Sequence, residues 1–467
     1  MHRMACAHLV GCLLAALLLG GACLHAEEDA AARKARMAAE EARMARARAD
    51  LDARVASAIE RGTAWLVRQQ LPDGGYPGFA DRLDPKAYNP MDVGVNALVM
   101  LTLSHGGLGA EHDAIKKCLR LCQFHYAGGN GSWNLKGNGT LTVYTAATLV
   151  LALDALYRGP EGKPAPARKD RYGEGDPPKP ARCKYPDSVR KWIVELVEFL
   201  VGSQHATGGW RYPGNPVDSE PGDTDLSNTQ YALLALEAAA RCGIPVPPEC
   251  FQRAVEHALS EQEQEGLPAP VWLPDEAWQP GDPPEKRFRE AGRAQARGWT
   301  YLPGHATLPT GSMTTAGVAV VAICKERLWA AERLPMDLRK RIDRSLRDGV
   351  AWLSEHFQVH TNPDEQPQWH YYYLYGLERA GTKLGLPWLG TRDWYREGAE
   401  HLLAAQQGDG GWLEAAASGK PADSTESAIT QTCFALLFLK RATRVPPVPL
   451  APPAAVTGDG SAPVEGR

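Results

Sequence analysis

The residues best placed to do chemistry stand at 223–228, where the chain reads Asp-Thr-Asp-Leu-Ser-Asn ahead of an apolar stretch. A buried carboxylic acid at such a point, with its pKa tuned by a neighbouring carboxylate, can act as a general acid. Asp223 and Asp225 are therefore the first catalytic candidates, and Asp92, just inside another apolar stretch, is the third. The same residue types have a structural use, since Asp225 and Ser227 can cap the helix that follows. A second unusual stretch is Trp369-His370-Tyr371-Tyr372-Tyr373. On a helix, Tyr372, Tyr375 and Arg379 share one stripe, while Trp369, Tyr373 and Gly376 share another. Such rings can stack a sugar, hold an apolar ligand or meet a cation over a ring face. They can equally be core, with their hydroxyls hydrogen-bonded. Glu378 and Arg379 read as a local polar pair.

A third group is dispersed. Asp92, Asn96, Thr142, Tyr144, Asn228 and Gln230 all fall near the starts of apolar segments, as do Ser312, Thr314, Thr315, Thr430 and Gln431. Many of these can be caps. Converging helix N-termini would also give a polar cavity mouth suited to an anionic or hydroxyl-rich ligand. The cavity-binding candidates are Asn228, Gln230, Tyr144, Trp369, His370, Tyr372 and Tyr373.

The elements that must position these residues are helices of two kinds. Segments near 52–70, 112–126, 187–204, 249–262, 338–357 and 393–407 are amphipathic with a charged face. Those starting near 91, 141, 226, 312, 369 and 427 are small, apolar and almost uncharged, so they must be buried. Strand signals are nearly absent. The alternation predicts six helical hairpins, each an outer helix followed by an inner one, closed into an all-α (α/α)6 toroid over 52–442. An open solenoid would need polar capping repeats, which neither terminal inner segment supplies. Pro- and charge-rich insertions fall at 158–186 and 263–298.

A phrase repeats through this body: "WLVRQQLPDGGY" at 65–76, "FLVGSQHATGGW" at 199–210, "HLLAAQQGDGGW" at 401–412, and a weaker "CQFHYAGGNGSW" at 122–133. The glutamines end an outer helix, where carbonyls lack partners. The glycines permit the reversal of direction, and the aromatic covers the turn. The phrase ties one helix end to the next hairpin.

The chain has 467 residues, 44% hydrophobic and 23% charged, with a formal net charge of −4. This is ordinary globular composition without the basic footprint of a nucleic-acid binder. Residues 1–26 read as a secretory signal, with Arg3 ahead of an apolar run too short to span a bilayer. The expectation is an exported protein, periplasmic or extracellular. Gly20-Gly21-Ala22-Cys23 leaves a lipoprotein-type membrane tether open. Residues 27–51 form a charged helical lead-in, and 443–467 a Pro-rich disordered tail. Of ten cysteines, Cys6, Cys12 and Cys23 fall in the signal. The other seven read as small buried hydrophobes, with Cys242–Cys250 the pair able to bond.

The Gln-rich, Asp-Gly-Gly-Trp repeats resemble the "QW" repeats of the squalene cyclase and protein prenyltransferase superfamily. Phrases such as "DLSNTQYALLAL" and "HYYYLYGLERAG" resemble exported bacterial proteins with prenyltransferase/squalene-oxidase repeats. The resemblance implies a toroid with a central, aromatic-lined cavity. It also implies two chemistries. Class II cyclases protonate an alkene with the middle Asp of an Asp-x-Asp-Asp motif. Aligned on the helix, Asp225 takes the first position, Ser227 the donor's and Asn228 the last, and serine cannot do that work. Aligned on acids alone, Asp223 and Asp225 match and Leu226 takes the last place. Prenyltransferases hold zinc through Asp-x-Cys and His, and this chain contains no Asp-x-Cys. The expectation is a toroid without metal or cofactor that binds an isoprenoid, glycan or peptide, or a partner. The alternatives are a divergent isoprenoid enzyme using Asp225, Asp223 or Asp92, and a polysaccharide lyase or hydrolase, which would need two facing carboxylates.

Overall fold

The computed structural model describes residues 2–76, 90–126, 141–159, 183–212, 224–302, 308–364, 369–413 and 425–441, without the side chains of 2–30, 90–92, 124–126 and 425–427. Asp223, the weak repeat copy beyond Tyr126, most of the first insertion and the Pro-rich tail lie outside them, as does the side chain of Asp92.

Two compact units divide the chain. The first joins Met1–Arg54 to Trp272–Glu290, and the second holds Val55–Val271 and Ala291–Arg467. The first contains most of α1 (His2–Gln69), a single helix through the segments expected to be signal and lead-in. Within this unit Arg33 faces Asp282 at 3.6 Å, and the Arg287 guanidinium sits 5.0 Å from the Trp278 ring centroid. Among the described residues, no helix is long and apolar enough to cross a membrane.

The second unit is the toroid. Its inner helices are α2 (Pro90–His105), α4 (Val143–Tyr157), α6 (Leu226–Arg241), α8 (Gly311–Ala330), α10 (His370–Leu384) and α12 (Thr425–Lys440). Each packs on the next, and α12 packs back on α2, closing the ring. Outside run the last turns of α1, then α3 (Asp113–Tyr126), α5 (Asp187–Gly202), α7 (Pro248–Glu261), α9 (Met336–Glu355) and α11 (Trp394–Ala405). The two rings follow from pattern. Helix α9 buries Leu338, Ile342, Leu346, Gly349 and Leu353, spaced three or four apart. Helix α6, sandwiched on all sides, buries every residue from Leu226 to Ala239. Burying one such Leu or Ile fully stabilises the fold by about 1.5–3 kcal/mol.

The repeated glutamine joins the hairpins. Gln70 Nε2 donates to the carbonyls of Gly74 at 3.0 Å and Ala114 at 2.9 Å. Gln204 does the same to Gly208 at 2.8 Å and Cys250 at 2.9 Å, and Gln406 to Gly410 and Ala58 at 2.9 Å each. One carbonyl belongs to the turn and the other to the next outer helix. The Trp210 and Trp412 indoles reach back four residues behind their glutamines, donating to Leu200 O at 2.7 Å and Leu402 O at 2.8 Å. Their backbone N–H groups donate to Thr229 and Thr432 Oγ1, at 3.0 and 2.9 Å, on the following inner helix. Gly208 turns with φ +105°, and a Cβ there would lie 2.2 Å from Arg253 O on α7.

Three expectations need correction. A further copy of the device exists: Gln262 Nε2 donates to Arg297 O at 3.0 Å and Ser345 O at 3.1 Å, while Trp299 Nε1 donates to Ala258 O at 2.8 Å. The second insertion splits this copy between Gln262 and Gly298-Trp299. That insertion is a hairpin of two strands, β1 (Leu267–Pro274) and β2 (Phe288–Ala296), against the near absence of strand signals in the sequence. Cys242 bonds to Cys183, not Cys250. Cys183 lies at the edge of the first insertion, and the chain brings it onto the C-cap of α6; Cys250 stays a buried free thiol.

Candidate functional site

Asp225 is the N-cap of α6 and is fully buried. Its Oδ1 accepts from the backbone N–H of Asn228 and its Oδ2 from Asn228 Nδ2, both at 2.7 Å. Burial pushes its pKa up to about 6, against the hydrogen bonds from Asn228, which favour the charged form. Both oxygens are thus engaged by Asn228 on the carboxylate's own helix, with a hydrogen bond from Tyr301 and the charge of Arg211 also favouring the charged form. Ser227 takes no part in the cap. Its hydroxyl accepts from Tyr144 OH at 2.6 Å and lies 2.7 Å from Tyr372 OH.

That serine is the middle of a chain of hydrogen bonds across the toroid. From Tyr144 on α4 it passes through Ser227 on α6 to Tyr372 on α10. Tyr372 OH then donates to Gln230 Oε1 at 3.1 Å, and Arg379 Nη2 donates to the same oxygen at 2.8 Å. Of the cavity candidates, Tyr144, Gln230 and Tyr372 join in this chain from α4, α6 and α10, while Asn228 bonds Asp225, and none of the four lines the cavity described below. The stripe of Tyr372, Tyr375 and Arg379 is present too. The Arg379 guanidinium lies 4.1 Å from the Tyr375 ring centroid, with Tyr231 at 5.5 Å and Tyr372 at 5.9 Å. Arg379 does not pair with Glu378, whose carboxylate accepts from Thr382 Oγ1 at 3.1 Å.

The other aromatic candidates point elsewhere. Trp369 precedes α10 in a left-handed conformation, φ +64°, and is 60% exposed. His370 pairs its Nε2 with Val359 O at 2.8 Å, and Tyr373 OH donates to Gln358 O at 3.1 Å, so both face the segment that follows α9. Successive residues on a helix diverge by about 100°, and only one stripe of the run can look inward. Three positions of the expected polar mouth are engaged locally. Asn96 Oδ1 accepts from Tyr76 N at 2.8 Å, Thr142 Oγ1 from Thr145 N at 3.2 Å, and Asn362 Oδ1 from Ser312 N at 2.8 Å.

The interior opens instead toward the C-terminal ends of the inner helices. A cavity of about 80 Å³ is lined there by Leu101 and His105 of α2, by Asp154 of α4 and its C-cap Arg158, by Glu237 and Arg241 of α6, and by Tyr375, Arg379 and Lys383 of α10, among others. Arg158 pairs with Asp154, and Lys383 Nζ lies 2.6 Å from both oxygens of Glu237. Burial works against the charge on Glu237, but Lys383 and Arg241 outweigh it and hold its carboxyl below the ordinary range. Glu326, on α8, is pushed up to about 7 by burial and then by the charge of Glu237. The sequence reading named Tyr375 and Arg379 but missed the rest of this set. The signal was the charge at the ends of otherwise uncharged helices: Asp154, Glu237, Arg241, Arg379 and Lys383. Asp154, Cys183 and Cys242 also bring ligand-type atoms within 4.8 Å of one another, but the two sulfurs are bonded together.

No protein-family model and no curated protein matches this chain. Among solved structures it is similar to the type II terpene cyclase MstE from Scytonema. A variant of that enzyme in complex with its substrate, geranylgeranyl dihydroxybenzoate, is 11% identical with a TM-score of 0.44, over 84% of this chain and 99% of that one. A variant holding the product merosterolic acid A is 12% identical with a TM-score of 0.44, over 84% and 98%. The apo enzyme gives 12%, 0.44, 83% and 98%. The fold class rests on the closed double ring of helices.

Proposed function

We propose that this toroid is a ligand-binding protein and not an isoprenoid cyclase. The observation that carries the reading is the cap: both oxygens of Asp225 are held at 2.7 Å by Asn228. A cyclase acid must present its proton to an alkene, whereas Asp225 is engaged by Asn228, Tyr301 and the charge of Arg211, and the hydroxyls of Tyr144, Ser227 and Tyr372 are bonded to one another. The cavity below supports the same reading. Its volume of about 80 Å³ is well short of the roughly 300–1,000 Å³ of sites for drug-sized ligands, and its lining is charged. Export is part of the proposal, supported by the apolar N-terminal run and by the Cys183–Cys242 bond, which suits an oxidising compartment. A lipid tether at Cys23 is included in it.

One observation favours the rival reading. A carboxyl raised to about 6 is half-protonated at about pH 6 and keeps a minor protonated fraction at neutral pH, as a general acid would. Incubation of the purified protein with C20 and C30 isoprenoids, alongside native mass spectrometry and organic extraction, decides between them. The expected result is no conversion and no co-purifying isoprenoid. Cyclised product that disappears in Asp225→Asn would overturn the binding reading.

A further inference from the structure

Arg379 is 1% exposed, yet no carboxylate of the described residues pairs with it. Gln230 takes Nη2 and the Tyr231 and Tyr375 side chains also bond the guanidinium, while Nε and Nη1 are buried donors that meet no acceptor at good hydrogen-bond geometry. The rings of Tyr231, Tyr372 and Tyr375 surround the charge without neutralising it. A bare buried cation is expensive, and proteins compensate it with a counter-charge. Arg379 faces a cavity in which four cations, Arg158, Arg241, Arg379 and Lys383, meet two carboxylates, Asp154 and Glu237. The two carboxylates are already committed, Asp154 to Arg158 and Glu237 to Lys383 and Arg241. Cations in the last turns of α4, α6 and α10 do complement helix dipoles, but Arg379 lies more than a turn before the end of α10 at Leu384. Water can accept from Nε and Nη1 but cannot supply negative charge.

We infer that the interior cavity is a binding site for a small oxyanion, which accepts from the open donors of Arg379. This rests on the binding reading above and names the ligand class. The chemistry shared by a carboxylate, phosphate or sulfate is what the site recognises: compact oxygen acceptors with at least one negative charge. The cavity of about 80 Å³ admits such an ion and little more. Arg158 and Arg241, half-buried at the ends of α4 and α6, form its outward edge.

The test titrates acetate, inorganic phosphate and sulfate calorimetrically into the full chain, dialysed into a zwitterionic buffer. Ion chromatography of the denatured protein reads any anion retained through purification. The expected result is saturable one-to-one binding of at least one anion, or its stoichiometric release on denaturation. Arg379→Gln should weaken binding at least about thirtyfold, the loss that follows truncation of one partner of a buried charge pair. If Arg379→Gln fails to fold, Arg241→Gln at the outward edge serves, and it too should weaken binding with its circular dichroism unchanged. Acetate alone assigns a carboxylate ligand; phosphate or sulfate alone assigns a tetrahedral anion. No saturable binding and no released anion would overturn the inference, as would binding that the variants leave unchanged. Either result leaves the binding reading standing, because turnover of an isoprenoid is measured separately.

Discussion

Gln406 and Ala58 are 348 residues apart, yet the glutamine amide donates to the alanine carbonyl at 2.9 Å and so fastens the last hairpin to the first. The same amide holds Gly410 O at 2.9 Å, and Arg61 of α1 donates to the side-chain oxygen. Replacing Gln406 by Ala leaves two carbonyls and an arginine short of partners. The expected loss is about 1–3 kcal/mol in urea unfolding, with an unchanged helical spectrum. Gln204→Ala should cost a similar amount, since Arg253 and Cys250 stand in for Arg61 and Ala58. A loss for Gln204→Ala without one for Gln406→Ala would mean that the ring is not closed through this contact.

Gly208 tests the turn itself. Alanine there needs φ near +105° and puts a methyl carbon 2.2 Å from Arg253 O. Backbone cannot yield as a flexible side chain can, so we expect a loss above about 2 kcal/mol or failure to fold. Gly202, at the end of α5 with open space around its missing Cβ, is the control and should accept alanine at small cost.

How much of this was legible in the sequence differs by element. The two rings were, because inner helices without a polar face leave no alternative to burial. The repeat was legible wherever glutamine, glycines and tryptophan stay within one turn. At Gln262 and Trp299 the insertion separates partners that meet only in three dimensions, and local spacing carries no trace of that. The disulfide failed for the same reason: Cys250 is near Cys242 in sequence, whereas Cys183 is 59 residues away. At the site, periodicity put Tyr372, Tyr375 and Arg379 on one stripe. It could not show that Gln230, from another helix, would take the arginine from Glu378, nor that Asp154, Glu237 and Lys383 would share a cavity.

The disulfide gives a direct prediction. Alkylation followed by mass spectrometry should find Cys183 and Cys242 linked and Cys250 free. Cys183→Ala should destabilise the protein by about 2–4 kcal/mol, and reducing agent should then have no further effect. Protection of Cys250 in place of Cys183 would refute the pairing.

Asp225 predicts a dependence on pH. Its carboxyl holds a proton up to about 6 when folded and releases it near the ordinary value of 3.8 when exposed. Between those values the folded state binds more protons than the unfolded one, so this group's contribution falls as pH rises. Its stabilising effect is whole below about pH 4 and gone above about pH 6. Asp225→Asn keeps an acceptor for the backbone N–H of Asn228 and does not titrate. The difference in unfolding free energy between wild type and variant should therefore shift by up to about 3 kcal/mol across that window. A flat difference would mean that Asp225 ionises normally and that burial does not govern it.

The pair of Lys383 and Glu237 asks what the interior charges are for. Both side chains are nearly fully buried, and Nζ sits 2.6 Å from each carboxylate oxygen. Lys383→Met strands a buried carboxylate beside Glu326, which already competes with Glu237 for a proton, and should cost about 3–5 kcal/mol. If the pair contributes only stability, Glu237→Leu with Lys383→Met should recover most of that loss, since buried pairs and apolar replacements of similar volume are often equivalent. Arg241 complicates the exchange, because it also holds Glu237 in its charged form. Removing the carboxylate leaves Arg241 beside Arg379 with less to balance them. We therefore expect the double variant to recover only part of the loss in anion-free buffer and more of it when phosphate is added. Full recovery without any anion would show that the cavity needs no negative charge beyond what the chain provides.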